Sequence, residues 1–174
     1  MDQKKVLFSI FFLLISFSYF GQSRNAEADS VEMTGMIFND TDPIKEATIN
    51  IFDENDLIKV VKVKRSNRFR INLPIDKSLT VEIAAPEFHT KRFIFDTNLP
   101  DDAKKIPDFD FDMDIFSREE MANVNTSLLD FPIGMVSYHE KKKKFLRNVE
   151  YTKKMKARYM KLLEESIMSD RATE

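Results

Sequence analysis

Four aspartates alternate with apolar residues in the sequence DFDFDMDIF, at positions 108–116 of the 174-residue chain. They are Asp108, Asp110, Asp112 and Asp114. Calcium prefers carboxylate oxygens, so the row is a candidate cation site. Same-face side chains of a strand lie about 6.6–6.8 Å apart, and the segment lacks the glycine turn and distal glutamate of an EF-hand loop. The spacing therefore predicts no metal site. It favours a solvated acidic face neutralised across the sheet by basic residues such as Lys62, Lys64, Arg68 and Arg70.

The other residue types that perform chemistry form no recognisable site. His139-Glu140 is not followed by a second histidine at helical spacing, and His89 stands alone, so both are interpreted as surface residues. The chain has no cysteine, which excludes disulfides, thiolate nucleophiles and zinc–thiolate sites. It has no G-x-S-x-G segment, P-loop or dinucleotide fingerprint. The sequence predicts no catalytic, cofactor-binding or metal-binding residue and no enzyme.

Residues 140–169 are predicted to form a basic amphipathic helix, because their apolar residues recur mostly every three or four positions. This helix supplies the candidate interaction face, which consists of Tyr151, Met155, Tyr159, Leu162, Leu163, Lys153, Lys154 and Arg158. Three interpretations stay open. The stripe could dock in the groove of a partner protein, the lysines could attach it to a membrane surface, or the stripe could pack on the chain's own β domain.

The charge is distributed unevenly, although the formal net charge is only −2. Residues 23–136 carry 14 Lys or Arg against 22 Asp or Glu, whereas residues 137–174 carry 11 against 6. Such a division is typical of a basic appendage that has its own partner or docks on its own acidic domain. The balance argues against a general nucleic-acid-binding protein.

Residues 1–22 resemble a secretory signal peptide. Lys4 and Lys5 precede a run of apolar residues and serines at positions 6–20, and small or polar residues follow. The run is shorter than the ~20 residues of a membrane-spanning helix. We therefore expect an exported protein, in the periplasm, at the outer membrane or outside the cell, and no nucleic-acid partner.

Short runs of alternating apolar and polar residues occupy positions 31–116. In RFRINL, for example, Phe69, Ile71 and Leu73 alternate with polar residues. Seven such runs, separated by turn residues at roughly ten-residue intervals, predict a mostly β protein. The predicted fold is a seven-strand antiparallel β-sandwich, transthyretin-like or Ig-like, followed by a C-terminal α-helix. Residues 117–138 are predicted to connect the two, with a short strand near residues 131–138.

One resemblance adds to this pattern. A strand containing Gly35, a turn, and the sequence PIKEATINI at 43–51 resemble the start of a carboxypeptidase regulatory-like domain, a small transthyretin-like β-sandwich. The similarity continues through NRFRINLP at 67–74, LTVEIAA at 79–85 and Glu87-Phe88, and covers roughly residues 31–97. The family usually has glycine where Asn67 or Arg68 and Pro86-Glu87 stand here. The family's domain accompanies catalytic domains without catalysing, so the resemblance implies a structural or binding module.

The sequence-based expectation is a non-catalytic exported scaffold or protein-interaction module at the cell envelope, contacting an unknown protein through the helix or a strand edge. A membrane-surface adaptor tethered by the basic helix is the alternative. An envelope enzyme with an unidentified carboxylate site ranks third, because no carboxylate pair stands out in the sequence.

Overall fold

The computed structural model describes residues 30–122 and 125–173. The predicted signal peptide, residues 1–22, lies outside this range. Within the described part, the protein is a mostly β sandwich-like structure with one C-terminal α-helix, which confirms the predicted fold class. No helix in these ranges has both the length and the apolar composition of a membrane span.

The described residues contain eleven strands, four more than the seven predicted. The strands are β1 (Ser30–Asn39), β2 (Asp42–Pro43), β3 (Glu46–Asp53), β4 (Asp56–Lys64), β5 (Arg68–Pro74), β6 (Ser78–Ala84), β7 (Lys91–Asp96), β8 (Phe109–Asp110), β9 (Met113–Asp114), β10 (Met135–His139) and β11 (Lys144–Arg147). The helices are a 3₁₀ helix (Thr126–Asp130) and α1 (Val149–Thr173). The count rises because β2 and β11 are additional, because the predicted strand at 108–116 divides into β8 and β9, and because β10, near the short strand expected at 131–138, joins the second sheet.

Two sheets share these strands. In the first, β1 is central, pairing antiparallel with β2 and β5 and parallel with β8 and β9. The second has the order β11-β10-β7-β6-β3-β4, with a parallel pair between β10 and β7. Most strand pairs are antiparallel, as predicted, but the parallel pairs of β1 with β8 and β9 and of β10 with β7 make both sheets mixed. Long connections bring residues 109–114 and 135–139 back beside earlier strands, and such connections permit parallel pairing.

Alternation determines which side chains enter the core. In β1, β3, β5, β6 and β7 every second residue is buried, as strand geometry requires for a sheet with one covered face. Five phenylalanines form a continuous chain of ring contacts between the sheets, with centroid distances of 4.9–6.5 Å. They are Phe69, Phe111, Phe93, Phe95 and Phe109.

Gly35 allows the backbone between β8 and β9 to pass directly over β1. A Cβ atom at this position would lie 1.8 Å from the Phe111 carbonyl oxygen and 2.9 Å from Cζ of Phe69. The Phe111 amide donates a hydrogen bond to the Thr34 carbonyl over 3.1 Å, which holds the crossing in place. Gly35 is therefore required for its lack of a side chain, since its φ is not in the left-handed region.

The predicted helical span 140–169 is wrong at its beginning. Glu140–Lys143 form the turn between β10 and β11, and Lys143 adopts a left-handed conformation with φ of 50°. The helix begins at Val149, because Asn148 caps it: its side-chain Oδ1 accepts a hydrogen bond from the Tyr151 amide over 3.0 Å. The lysine run at 141–144 thus belongs to a hairpin.

Candidate functional site

The apolar part of the predicted interaction face is buried in the protein itself. Met155, Tyr159 and Leu162 are 3%, 5% and 8% exposed and pack in a second core with Met121 and Leu129. The half-buried Tyr151 and Leu163 pack against the same cluster. The chain itself therefore covers this stripe, as in the third of the interpretations that the sequence left open, and the stripe attaches α1 to the sandwich. Lys153, Lys154 and Arg158 remain exposed on the outer side of the helix.

Polar contacts hold the helix at both ends of this second core. The Tyr151 hydroxyl donates a hydrogen bond to the Pro132 carbonyl over 2.8 Å, and the buried Ser166 hydroxyl donates to the Glu120 carbonyl. The side chain of Glu120 takes part as well: its carboxylate accepts a hydrogen bond from the Ser117 amide. In return, the Ser117 hydroxyl accepts a hydrogen bond from the Glu120 amide. These reciprocal bonds form the capping-box arrangement that the sequence SREE indicates.

The aspartate row holds the segment 108–116 to β1. The carboxylate of Asp110 accepts a hydrogen bond from the Thr34 hydroxyl over 2.7 Å, and Asp112 accepts one from the Met36 amide over 3.0 Å. Asp114 accepts one from the Asp40 amide over 2.8 Å. Asp112 thereby replaces a backbone acceptor where β8 and β9 are interrupted. No group of three or more metal-ligating side chains occurs among the described residues.

The histidines lie apart from one another. His89 donates its backbone amide to the Phe116 carbonyl over 2.8 Å. Burial lowers the pKa of His89, and the positive charge of Arg118 lowers it further. His139 is exposed at the end of β10.

Among the residues whose burial the structure describes, Lys91 is the only buried charged residue, with 6% of its surface exposed. Its ammonium donates a hydrogen bond to the Asp114 carbonyl and lies 3.9 Å from the centroid of the Phe116 ring and 5.2 Å from that of Tyr159. Burial lowers the pKa of Lys91 to about 8, although the carboxylates of Asp114 and Glu120 oppose this shift. At neutral pH the side chain is therefore mostly a cation, stabilised by two aromatic faces.

A groove of about 630 Å³ runs between α1 and the sandwich, and Lys91 is in its lining. Apolar side chains form much of its wall: Met113, Phe116, Ile133, Met160 and Leu163. A smaller cavity of about 70 Å³ shares five lining residues with the groove and extends to Phe93 and Phe111. The groove thus combines a buried cation with an apolar wall that reaches the aromatic core.

The outer edge of the second sheet is a separate candidate surface. Among the described residues, β4 pairs only with β3, so its other edge is open. Leu57 and Val60 on this strand are 53% and 47% exposed, and Ile58 is exposed as well. Open edges present unpaired backbone donors and acceptors, and exposed apolar side chains favour their association with another strand.

No protein-family model matches the chain, and no curated protein matches it. Two of the solved structures that match the chain show how weak the similarity in fold is. The crystal structure of S.CueP aligns with 16% identity and a TM-score of 0.34, over 47% of this chain and 59% of that one. Mercury-inhibited catechol 1,2-dioxygenase from Acinetobacter sp. ADP1 aligns with 10% identity and a TM-score of 0.39, over 64% of this chain and 59% of that one. Neither similarity identifies a function.

The Tyr159 hydroxyl is buried without a hydrogen-bond partner among the described residues. Burial raises the pKa of this hydroxyl above its ordinary value, so it stays protonated. We expect Tyr159→Phe to leave the free energy of unfolding unchanged or to raise it by up to about 1 kcal/mol, because an unpaired buried hydroxyl is unfavourable. Urea denaturation at pH 7 measures this. A loss above about 1 kcal/mol would show that the hydroxyl has a partner such as a bound water.

Proposed function

We propose that the protein is a non-catalytic, exported interaction module that binds an extended segment of a partner protein at the cell envelope, along the edge of β4. Within residues 30–122 and 125–173, this nine-residue strand has one open edge, which supports the proposal together with the exposed apolar residues Leu57 and Val60. An added strand would pair with the free backbone groups of β4, and its side chains would supply the specificity.

The register of β4 indicates the chemistry of the partner. Val60, Lys62 and Lys64 lie opposite the polar residues of β3 on the outer face of the sheet. On the inner face, Val61 and Val63 lie opposite the buried residues Ile49 and Ala47. An added strand would therefore place apolar side chains beside Val61 and Val63 and acidic side chains beside the two lysines. The partner segment alternates apolar and acidic residues.

Export and family membership belong to the same proposal. The basic, apolar and polar succession at residues 1–22 supports secretion, and the sequences at 43–51 and 67–74 support a carboxypeptidase regulatory-like domain. In that family the domain is an accessory without catalysis. A binding role for the sandwich agrees with it.

The membrane-surface alternative has less support. An interfacial helix inserts its apolar face among lipids, but Met155, Tyr159 and Leu162 of α1 are covered by the protein's own core. Attachment would then depend on the exposed Lys153, Lys154 and Arg158 alone, and such attraction is strongly screened by salt.

A designed peptide tests the strand-edge proposal. The probe is a fluorescein-labelled eight-residue peptide alternating valine with glutamate, compared with one alternating valine with lysine, and binding to residues 23–174 is followed by anisotropy. We expect the glutamate peptide to bind better. The double variant Lys62→Glu/Lys64→Glu should reverse the preference, weakening the glutamate peptide by about tenfold, because two cross-strand charge pairs change sign.

The matched control is Lys153→Glu/Lys154→Glu, which makes the same charge change on α1 and should leave peptide binding unchanged. A glutamate peptide with alternate N-methylated residues should fail to bind, since its backbone cannot pair along one edge. If both double variants lost affinity for the glutamate peptide equally, the strand-edge proposal would be overturned, because unspecific electrostatic attraction between peptide and protein would explain the binding. Binding to anionic phosphatidylglycerol vesicles that is abolished only in the helix variant would establish the membrane alternative instead.

A further inference from the structure

The groove beside Lys91 is independent of the β4 edge and has features of a small-molecule site. Its volume of about 630 Å³ lies within the range of roughly 300–1,000 Å³ typical of ligand pockets. Such pockets are mostly apolar with a few polar groups that fix orientation. The groove has an apolar wall and a cation that is more than nine-tenths buried.

The ammonium of Lys91 has hydrogen-bonding capacity beyond its contact in the protein. An ammonium carries three N–H donors, and the contact found for it in the described residues is the bond to the Asp114 carbonyl. Its positive charge faces the rings of Phe116 and Tyr159 and also interacts with the carboxylates of Asp114 and Glu120. An acceptor in the groove would therefore meet an available donor in a poorly hydrated environment, where a charged hydrogen bond is strong.

The remaining charges restrict the ligand. Three acidic residues of the lining already accept hydrogen bonds: Asp112 from the Met36 amide, Asp114 from the Asp40 amide, and Glu120 from Ser117 and Asn39. With Asp40, they give four acidic residues in the lining against three basic ones, Lys91, Arg147 and Lys156. This balance disfavours polyanions such as nucleotides, while the single buried cation suits one negative charge.

We propose that the groove binds a monocarboxylate with an apolar tail, such as a free fatty acid, with the carboxylate on Lys91. The tail lies along Met113, Ile133 and Leu163 and extends toward the smaller cavity at Phe93 and Phe111. Burial of its methylene groups supplies affinity, about fourfold for each CH₂ that is fully buried. The Lys91 contact supplies the preference for an anionic head.

Titration calorimetry with dodecanoate, kept below its micelle concentration, tests the site on residues 23–174. We expect dodecanoate to bind at least tenfold more tightly than 1-dodecanol, which has the same tail without the charge. Lys91→Met should remove this preference, whereas Lys154→Met, the same change on the exposed face of α1, should retain it. Equal binding of the two ligands by the wild-type protein, or an unaltered preference in Lys91→Met, would overturn the proposal.

Leu163→Trp provides a second test that leaves every charge in place. The residue is half-buried in the groove wall, so a larger side chain should obstruct the tail and weaken dodecanoate binding at least tenfold. Unchanged affinity in a folded Leu163→Trp protein would place the ligand elsewhere and overturn the proposal, even if Lys91→Met did not fold. Neither variant alters β4, so the peptide-binding experiment is unaffected by failure here.

Discussion

Gly35→Ala is expected to destabilise the sandwich by about 3 kcal/mol or more, the upper part of the range for overpacking a core. The new methyl group would lie 1.8 Å from the Phe111 carbonyl oxygen, far inside any allowed contact. The neighbouring backbone cannot move away freely, because the Phe111 amide bonds Thr34 and the Asp112 carboxylate bonds the Met36 amide. Accommodation of the methyl group would separate the segment 108–116 from β1.

Gly134→Ala is the matched control for this change. A Cβ at Gly134 would meet the Thr152 hydroxyl oxygen at 3.6 Å, an ordinary contact, and neither glycine has a positive φ. Both substitutions therefore reduce the backbone freedom of the unfolded chain by similar amounts. The difference between the two changes in stability reports the clash alone. Thermal and urea unfolding of both variants measures this difference. Similar midpoints for the two proteins would contradict the close crossing at Phe111.

The second large effect is a rise in stability with pH, caused by Lys91. Burial lowers the pKa of this lysine from 10.5 to about 8 in the folded protein. Between these values the unfolded chain binds more protons than the folded one, so the free energy of unfolding increases as pH rises from about 8 to about 10.5. At 1.36 kcal/mol per pKa unit, the full gain is about 3 kcal/mol.

Urea denaturation at pH 7.5 and pH 10 measures this gain, with Lys91→Met as the reference. Because the variant retains the other titrating groups, its own pH dependence is subtracted from that of the wild-type protein. The free energy of unfolding should therefore rise more between pH 7.5 and pH 10 in the wild-type protein than in Lys91→Met. Parallel profiles for the two proteins would mean that Lys91 is hydrated in the folded state and that its pKa is close to ordinary.

Period-two patterns predicted most of the sandwich correctly, since each run has a covered and an exposed face. The alternation in DFDFDMDIF was interpreted correctly as well: Phe109, Phe111, Met113 and Ile115 are buried and the intervening aspartates are exposed. A short strand near β10 was predicted, but β11 and the hairpin that joins the two strands escaped prediction. Its turn is a run of charged residues at 140–143, which has neither periodicity nor a glycine to distinguish it from the beginning of a helix.

The candidate sites were harder to predict. The helical stripe at Met155, Tyr159 and Leu162 shows that one face of the helix is covered, but amphipathicity does not specify whether the chain or a partner covers it. The sequence indicates only weakly that Lys91 is buried, through its position on the same period-two face of β7 as Phe93 and Phe95. Its approach to Phe116 and Tyr159 depends on the positions of segments that are distant in sequence, which local patterns do not contain.

The position of β1 at the centre of its sheet has a consequence for the kinetics of folding. One edge of this first strand is closed by β8 and β9, through contacts such as that between Thr34 and Asp110, which are 76 positions apart. Such remote pairings are formed slowly, because a long loop must close before they contribute. A chain emerging from its N-terminal end keeps this edge of β1 unpaired until about residue 114 is available. Incomplete chains would expose this edge of a central strand, which makes them prone to aggregation during synthesis.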